Sequence, residues 1–289
     1  MTDPLFILAM DHRDSFGRTL FGVRDDRPTP AQVEAMRAAK RLIFEGLRQA
    51  EPPSGRRGVL VDEEYGTDVI DAAKGGPIVL AVPIEASGQP WFTPQYGAGW
   101  LEHIEAIRPD YAKVLIRDNP DFDPQDRARQ LTDLAAVAEG LRGAGVPLLY
   151  ELLVPATPPQ LAGVGGDTYR YDRDVRPALV DRVIADNQEH GIVPSLWKVE
   201  GLETVEAARE IAARASSRGS DLLVLGRDAP KERLDHWLEV ACQVPEFAGF
   251  AIGRSIWEDV LRSPTTPQAD QARIAQNYLS FTAHWKPPA

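Results

Sequence analysis

Short apolar runs rich in valine, isoleucine and leucine recur along the chain, each followed by a longer segment whose apolar residues return at helical spacing. Eight such runs can be counted: Leu5 to Met10, Gly58 to Asp62, Pro77 to Val82, Tyr111 to Ile116, Val146 to Leu152, Leu196 to Glu200, Asp221 to Gly226 and Phe247 to Gly253. Helices are expected near 30–49, 66–73, 97–107, 124–142, 172–189, 203–216 and 231–242, with a last helical stretch after Ser255. The order is strand then helix, eight times over.

Nearly continuous apolar strands separated by helices indicate a parallel sheet covered on both faces, and eight repeats in about 250 residues match an α/β fold of the (β/α)8 TIM-barrel type. The rival is an open doubly wound sheet, whose Gly-x-Gly-x-x-Gly turn should follow the first strand. Here that strand ends in Asp11-His12-Arg13-Asp14, so the barrel is preferred.

Loop lengths point the same way. Asp11 to Pro28, Pro83 to Tyr96 and Val154 to Tyr171 follow strands and are long, whereas the returns at Lys74, Arg108 and Gly143 are brief, as expected if one rim carries the chemistry. The Pro- and Gly-rich 154–171 segment is expected to be a mobile cover over that rim. With no interdomain linker or repeat visible, residues 1–289 are expected to form a single barrel domain with a short flexible tail at 286–289.

Composition narrows the function classes. Of 289 residues 32 are basic and 43 acidic, and the resulting net charge of −11 argues against a general nucleic-acid or anionic-membrane surface while leaving room for a local basic pocket. The single Cys242 excludes an internal disulfide or a cysteine metal cluster. No apolar run reaches the roughly 20 residues that span a bilayer, and the first residues lack the pattern of a secretory signal, so a cytoplasmic protein is expected.

Lysine is rare in this chain, six against 26 arginines, yet Lys113 and Lys198 both sit inside apolar strand runs, the fourth and the sixth. An ammonium group there must point into the barrel or be buried against helices at high cost, and alternate strands of a barrel share side-chain layers. Two neighbouring ammonium groups disfavour each other's charge, leaving one amine free to attack a carbonyl. The competing reading makes each lysine a structural ion pair at the rim. Which lysine is the nucleophile stays open on these grounds.

Glu151, on the strand between them, is a candidate proton relay or lysine partner. Asp11 and Asp62 end the first and second strands, suited to acid/base work or a substrate hydroxyl, with helix capping as the alternative for each. The last two strands end in Gly226-Arg227 and Gly253-Arg254, where barrel enzymes often bind phosphate through backbone amides and an arginine. Arg13, Arg117, His12 and Asn119 are further candidates for the rim. Of five histidines only His12 falls at a strand end, so no metal site is expected. Trp237, Trp257 and Trp285 are candidate contacts for a homo-oligomer.

These residues resemble the class I aldolases of the tagatose-1,6-bisphosphate aldolase type, and more closely the aldolase-like domain fused to, or found beside, the sugar kinase of bacterial myo-inositol catabolism. The matching segments are Met10-Asp11-His12-Arg13-Asp14, Ala112-Lys113 through Asp121, Tyr150-Glu151-Leu152-Leu153-Val154-Pro155, Trp197-Lys198-Val199-Glu200, Leu225-Gly226-Arg227-Asp228 and Gly249 to Arg254. The resemblance implies that Lys198 forms a Schiff base, that Lys113 and Glu151 assist it, that Asp11 is an active-site aspartate and that Arg254 binds phosphate. His12, where those aldolases usually carry glutamine, and the seventh-strand end Leu225-Gly226-Arg227, where they usually carry Ser-Gly-Gly, fit the inositol-type branch better.

The function so implied is a retro-aldol lyase needing no cofactor beyond a covalent imine on Lys198, in which Asp11 orients or deprotonates a substrate hydroxyl. The implied substrate is a phosphorylated keto sugar acid, 2-deoxy-5-keto-6-phosphogluconate, cleaved to dihydroxyacetone phosphate and malonate semialdehyde. Three other readings stay open at this point: a metal-dependent or other barrel lyase or isomerase, a non-catalytic phosphosugar sensor, and a same-family lyase with an unphosphorylated substrate.

Overall fold

The computed structural model describes residues 3–24 and 27–285, so the tail expected at 286–289 lies outside the described residues. Among the described residues eight parallel strands close into a barrel in sequence order. They are β1 (Leu5–Ala9), β2 (Arg56–Leu60), β3 (Val79–Pro83), β4 (Tyr111–Arg117), β5 (Leu148–Leu153), β6 (Leu196–Glu200), β7 (Asp221–Leu225) and β8 (Phe247–Ile252). The fold is a (β/α)8 barrel, as the alternation of apolar runs predicts.

The helices are α1 (Asp14–Phe21), α2 (Pro30–Gln49), α3 (Glu63–Ala73), α4 (Trp100–Ile107), α5 (Pro124–Ala144), α6 (Pro158–Gly163), α7 (Thr168–Arg170), α8 (Arg176–Glu189), α9 (Val205–Ser216), α10 (Lys231–Ala241), α11 (Arg254–Arg262) and α12 (Pro267–Thr282). Their starts follow local chemistry. Thr29 caps α2 in a reciprocal box with Gln32, with Pro30 next, and Asp123 accepts from the amides of Gln125 and Asp126 at the start of α5.

Side chains alternate across each strand, so every second residue faces the barrel axis. Leu5, Ile7, Ala9, Leu60, Val79, Ala81, Leu149, Leu196, Leu223 and Ala251 form a closed apolar plug there, with Tyr111 packed on it. One step further along the same faces come Asp11, Lys113, Glu151 and Lys198: the plug ends where the charges begin. The opposite faces, with Tyr150, Trp197 and Phe250, pack under the helices in the larger cluster. Between β8 and β1 the backbones come so close that a Cβ on Gly249 would lie 2.1 Å from the Leu5 carbonyl oxygen, and Gly249 sits at φ 135°. Only glycine fits this closure.

Three departures from the sequence reading have local causes. Residues 14–21 fold into α1, a helix too short to show a periodic signal, ended by Gly22 in the left-handed region. The stretch after Ser255 divides into α11 and α12, because Pro264 and Pro267 cannot continue a helix from Arg262. The 154–171 segment, expected to be a mobile cover, carries the short helices α6 and α7 and is hydrogen-bonded to its surroundings. Thr157 and Gln160 box the start of α6, Tyr171 donates to the Val154 carbonyl at 2.9 Å, and Asn119 donates to the Pro155 carbonyl at 2.9 Å.

Two of the three tryptophans proposed for an interface lie inside the chain instead. Trp237 and Trp257 are buried, their indoles donating to Glu203 Oε1 at 2.9 Å and to the Ala9 carbonyl at 3.0 Å, and Trp285 stacks edge-on against Phe6. No described helix is long and apolar enough to cross a membrane.

Candidate active site

A cavity of about 400 Å³ opens at the C-terminal ends of the strands. Its floor and walls include Asp11, His12, Arg13, Lys113, Arg117, Glu151, Lys198, Gly226, Arg227, Gly253 and Arg254. Of the thirteen candidate residues from the sequence, Asp62 and Asn119 stay outside it.

At the centre, one carboxylate joins the two strand lysines. In register, Leu115 of β4 pairs with Glu151, and Glu151 pairs with Lys198, so all three strands bring their inward side chains together. Glu151 Oε1 lies 2.9 Å from Lys198 Nζ and Oε2 lies 3.0 Å from Lys113 Nζ. Lys113 also donates to Asp11 Oδ2 at 2.8 Å and to Glu85 Oε1 at 2.7 Å. Both lysines are buried, Lys113 fully.

These contacts separate the lysines. Burial would lower the Lys113 ammonium, but Asp11, Glu151 and Glu85 outweigh it and hold it far above its ordinary value. Mutual repulsion, from which a free amine was expected, does not neutralise Lys113: three carboxylates fix its charge. Among the described residues Lys198 has a single carboxylate partner, Glu151. For Glu151, burial raises the carboxyl while Lys113 and Lys198 pull it further down, leaving a net lowering. Asp11 follows the same pattern: burial raises it, and Lys113, His12 and Lys198 together bring it below its ordinary value.

The sequence reading passed over Glu85. It lies two residues beyond β3 in the loop to Tyr96, and it continues the inward series Ala81, Pro83, so the period-two alternation carried one step past the strand is the signal that finds it. Burial raises its carboxyl above the ordinary value despite Lys113 and Arg13.

On the β8 side, Gly253 precedes α11, whose first residue is Arg254. A Cβ on Gly253 would come within 2.5 Å of the Ala9 carbonyl oxygen and 3.1 Å of His12 Cε1, so the chain turns here only as glycine. Backbone amides and the helix dipole at this N-terminus suit an anion, and the Arg254 side chain lines the cavity, meeting Asp228 Oδ2 at 3.1 Å. Burial pushes the nearby His12 imidazole down to about 4, the charges of Arg254 and Lys198 adding to the effect, so it is neutral at pH 7.

Arg117 lines the rim from the end of β4, and Arg13 lies beneath it, donating to the Gln95 side chain and to the Glu85 carbonyl at 2.8 Å. Arg227, read as a second phosphate arginine, lines the cavity and also pairs with carboxylates of the chain. Its guanidinium bonds Asp172 and, at 2.6 Å, Glu200 Oε1, and residues 227 and 228 both hold left-handed φ values of 45° and 57°. Its charge is answered from within the protein. Asp62 is likewise structural: it caps α3 through the Tyr65 amide at 2.9 Å and pairs with the buried Lys40 ammonium of α2. The cap turns its carboxyl off the barrel axis, where alternation alone would have pointed it. Asn119, buried, holds the 155–160 segment through Pro155 and Gln160.

Comparison with solved structures returns barrels of the same architecture. The Cgl0159 protein of Corynebacterium glutamicum is 17% identical with a TM-score of 0.62, over 96% of this chain and 85% of that one. Fructose-bisphosphate aldolase of Plasmodium falciparum is 14% identical with a TM-score of 0.63, over 96% and 90%. An archaeal fructose-1,6-bisphosphate aldolase, solved with its catalytic lysine bound covalently to a carbinolamine intermediate, is 14% identical with a TM-score of 0.60, over 98% and 93%. At these identities the likeness establishes the barrel. Comparison with curated proteins finds no match. A family model described as "Uncharacterized protein conserved in bacteria (DUF2090)" matches residues 1–288, and the chain belongs to that family.

Proposed function

We propose that this chain is a Schiff-base (class I) aldolase acting on a phosphorylated keto sugar acid. The observation that carries the reading is the Glu151 carboxylate shared between Lys198 and Lys113 at 2.9 and 3.0 Å on the floor of an anion-suited cavity. Ketone attack requires an uncharged amine beside a group that can take and return its proton. The likeness of the barrel to those of Schiff-base aldolases agrees with it.

In this reading Glu151 accepts a proton from Lys198, whose Nζ adds to the substrate ketone to give a carbinolamine. Returning the proton expels water and leaves an iminium ion. That cation receives the electron pair of the neighbouring carbon–carbon bond as it breaks, so no cofactor beyond the imine is needed. Glu151, again a carboxylate, takes up a proton from solvent water to match the one the cleaved hydroxyl gives up, delivers it to the enamine carbon, and hydrolysis frees Lys198. Lys113 stays charged throughout and fixes Asp11, Glu85 and Glu151 in place. Asp11 orients a substrate hydroxyl, and the Gly253 and Arg254 backbone and side chain hold the phosphate. Arg117 and Arg13 suit a second negative group, which a sugar acid has.

The substrate that meets these demands and the family resemblance together is 2-deoxy-5-keto-6-phosphogluconate, giving dihydroxyacetone phosphate and malonate semialdehyde. The test is borohydride reduction of the protein with dihydroxyacetone phosphate, then peptide mass spectrometry. A stable adduct on Lys198 is expected. An adduct on Lys113 instead would exchange the two roles, and no adduct with any ketone of a broad panel would overturn the aldolase reading.

A further inference from the structure

Glu85 is the one carboxyl of the central cluster to which the reaction above gives no chemical step. It is held from several sides. Its backbone carbonyl accepts from Arg13, the flanking Ile84 amide donates to the Lys113 carbonyl at 2.8 Å, and a bridge to Pro94 closes the loop around it. The residue is 7% exposed and lines the same cavity as Lys198 and Glu151. One oxygen, Oε1, takes Lys113 at 2.7 Å, while Oε2 is buried without a hydrogen-bond partner among the described residues. A buried carboxylate oxygen left unmatched costs free energy unless a ligand completes it.

The three carboxylates around Lys113 are not equivalent. Asp11 is held as an anion by its contact with Lys113, which takes Oδ2 at 2.8 Å. Glu85 is shifted in the opposite direction, and the charged groups that face it are Lys113 from β4, Asp11 after β1 and Arg13 beside α1. Glu151 is already committed to Lys198.

We propose that Glu85 is a catalytic residue whose free Oε2 takes the proton of the substrate hydroxyl on the carbon that becomes the aldehyde. The inference rests on the Schiff-base reading and deepens it. As the O–H bond breaks, its proton passes to Oε2 and its electrons form the aldehyde C=O. The carbon–carbon pair moves to the adjacent carbon, and the C=N pair returns to the Lys198 nitrogen, giving enamine and aldehyde. In the condensation direction Glu85 gives that proton back. Asp11 anchors Lys113 and the same hydroxyl without taking the proton.

The role separates two halves of the reaction. Imine and enamine formation with a ketone alone needs Lys198 and Glu151, whereas only carbon–carbon bond making and breaking needs Glu85. Three readouts with dihydroxyacetone phosphate are compared in the unmodified chain, Glu85→Gln and Glu85→Asp: borohydride trapping, deuterium exchange at the ketone's α-carbon in D2O, and condensation with malonate semialdehyde or glyceraldehyde 3-phosphate. Glu85→Gln should trap and exchange at the unmodified rate, which also shows that it is folded, while condensation falls about 100-fold or more. Glu85→Asp should recover part of that loss.

Condensation at the unmodified rate in Glu85→Gln would overturn the role. So would a parallel fall in exchange and condensation, which would mean that Glu85 acts only by holding Lys113. Exchange without condensation by the unmodified chain, for any aldehyde offered, would overturn it as well. No trapping by the unmodified chain with any ketone would remove the aldolase reading itself and this role with it.

Discussion

Glu151 stands between Lys113 and Lys198, one oxygen 3.0 Å from the first ammonium and the other 2.9 Å from the second. The two lysines nevertheless carry unequal loads. Lys113 alone answers Asp11 and Glu85 as well.

That inequality predicts different costs of removal. Lys113→Met leaves three buried carboxylates with one lysine among them and should lose about 3–5 kcal/mol of stability, the range for stripping a buried charge of its partner. Lys198→Met leaves Glu151 paired with Lys113 and should cost clearly less. Urea unfolding of both variants measures this, and equal losses would contradict the assignment of Lys113 as the structural cation.

Asp62 should matter for folding and leave the chemistry alone. Asp62→Asn keeps an oxygen for the Tyr65 amide but removes the carboxylate paired with the Lys40 amine, which burial pulls down to about 7, at a cost of about 1–3 kcal/mol. Per folded molecule, borohydride trapping on Lys198 should be unchanged. A selective loss of trapping would return Asp62 to the active site.

Arg254 and Arg227 should part in the same way. Arg254→Ala should weaken binding of dihydroxyacetone phosphate at least about tenfold, because a charge-assisted contact to an anion is worth about 1.5–3 kcal/mol. Arg227→Ala should chiefly lower stability by releasing Asp172 and Glu200 from their shared partner, although Arg176 and Arg233 still hold Asp172. Calorimetric titration set beside thermal melts separates the two effects. Unaltered phosphate affinity in Arg254→Ala would favour an unphosphorylated substrate.

Gly253→Ala should cost about 1–3 kcal/mol, since the added methyl meets a backbone oxygen that cannot withdraw. The same shift displaces His12 and the first turn of α11, so ketone-phosphate affinity should fall with the melting temperature. A variant with native melting and native affinity would contradict the close approach.

His12 gives the pH dependence of stability a definite sign. Its imidazole titrates at about 4 when folded against an ordinary value of 6.5, so on acidification the unfolded chain takes up the proton first. Stability should therefore fall as pH drops from 6.5 towards 4. Asp11 and Glu151, lowered below ordinary carboxyl values, carry the same sign at lower pH, their contribution being lost as pH falls through their folded values. Denaturant midpoints across this range, in the unmodified chain and in His12→Gln, test it: the variant should show a flatter profile between 6.5 and 4.

What the sequence by itself determined is what periodicity encodes. Eight apolar runs and their spacing specify eight covered parallel strands, and charges set into those runs mark Lys113, Glu151 and Lys198, because a lone charge in a strand buried on both faces has nowhere to point but the axis. The same alternation, continued past the strand ends, reaches Asp11 and also Glu85, which sequence reading overlooked by stopping where the apolar run stopped. Only the tertiary structure decided which charges answer one another. Asp62 and Arg227 both sit at strand ends, and nothing local reveals that Lys40 waits on α2 for one or that Asp172 and Glu200 enclose the other. Nor does it reveal that three carboxylates converge on Lys113 and one on Lys198. Periodicity is a property of neighbouring residues, whereas pairing across 28 or 102 positions depends on register and loop path, which close only when the whole barrel does.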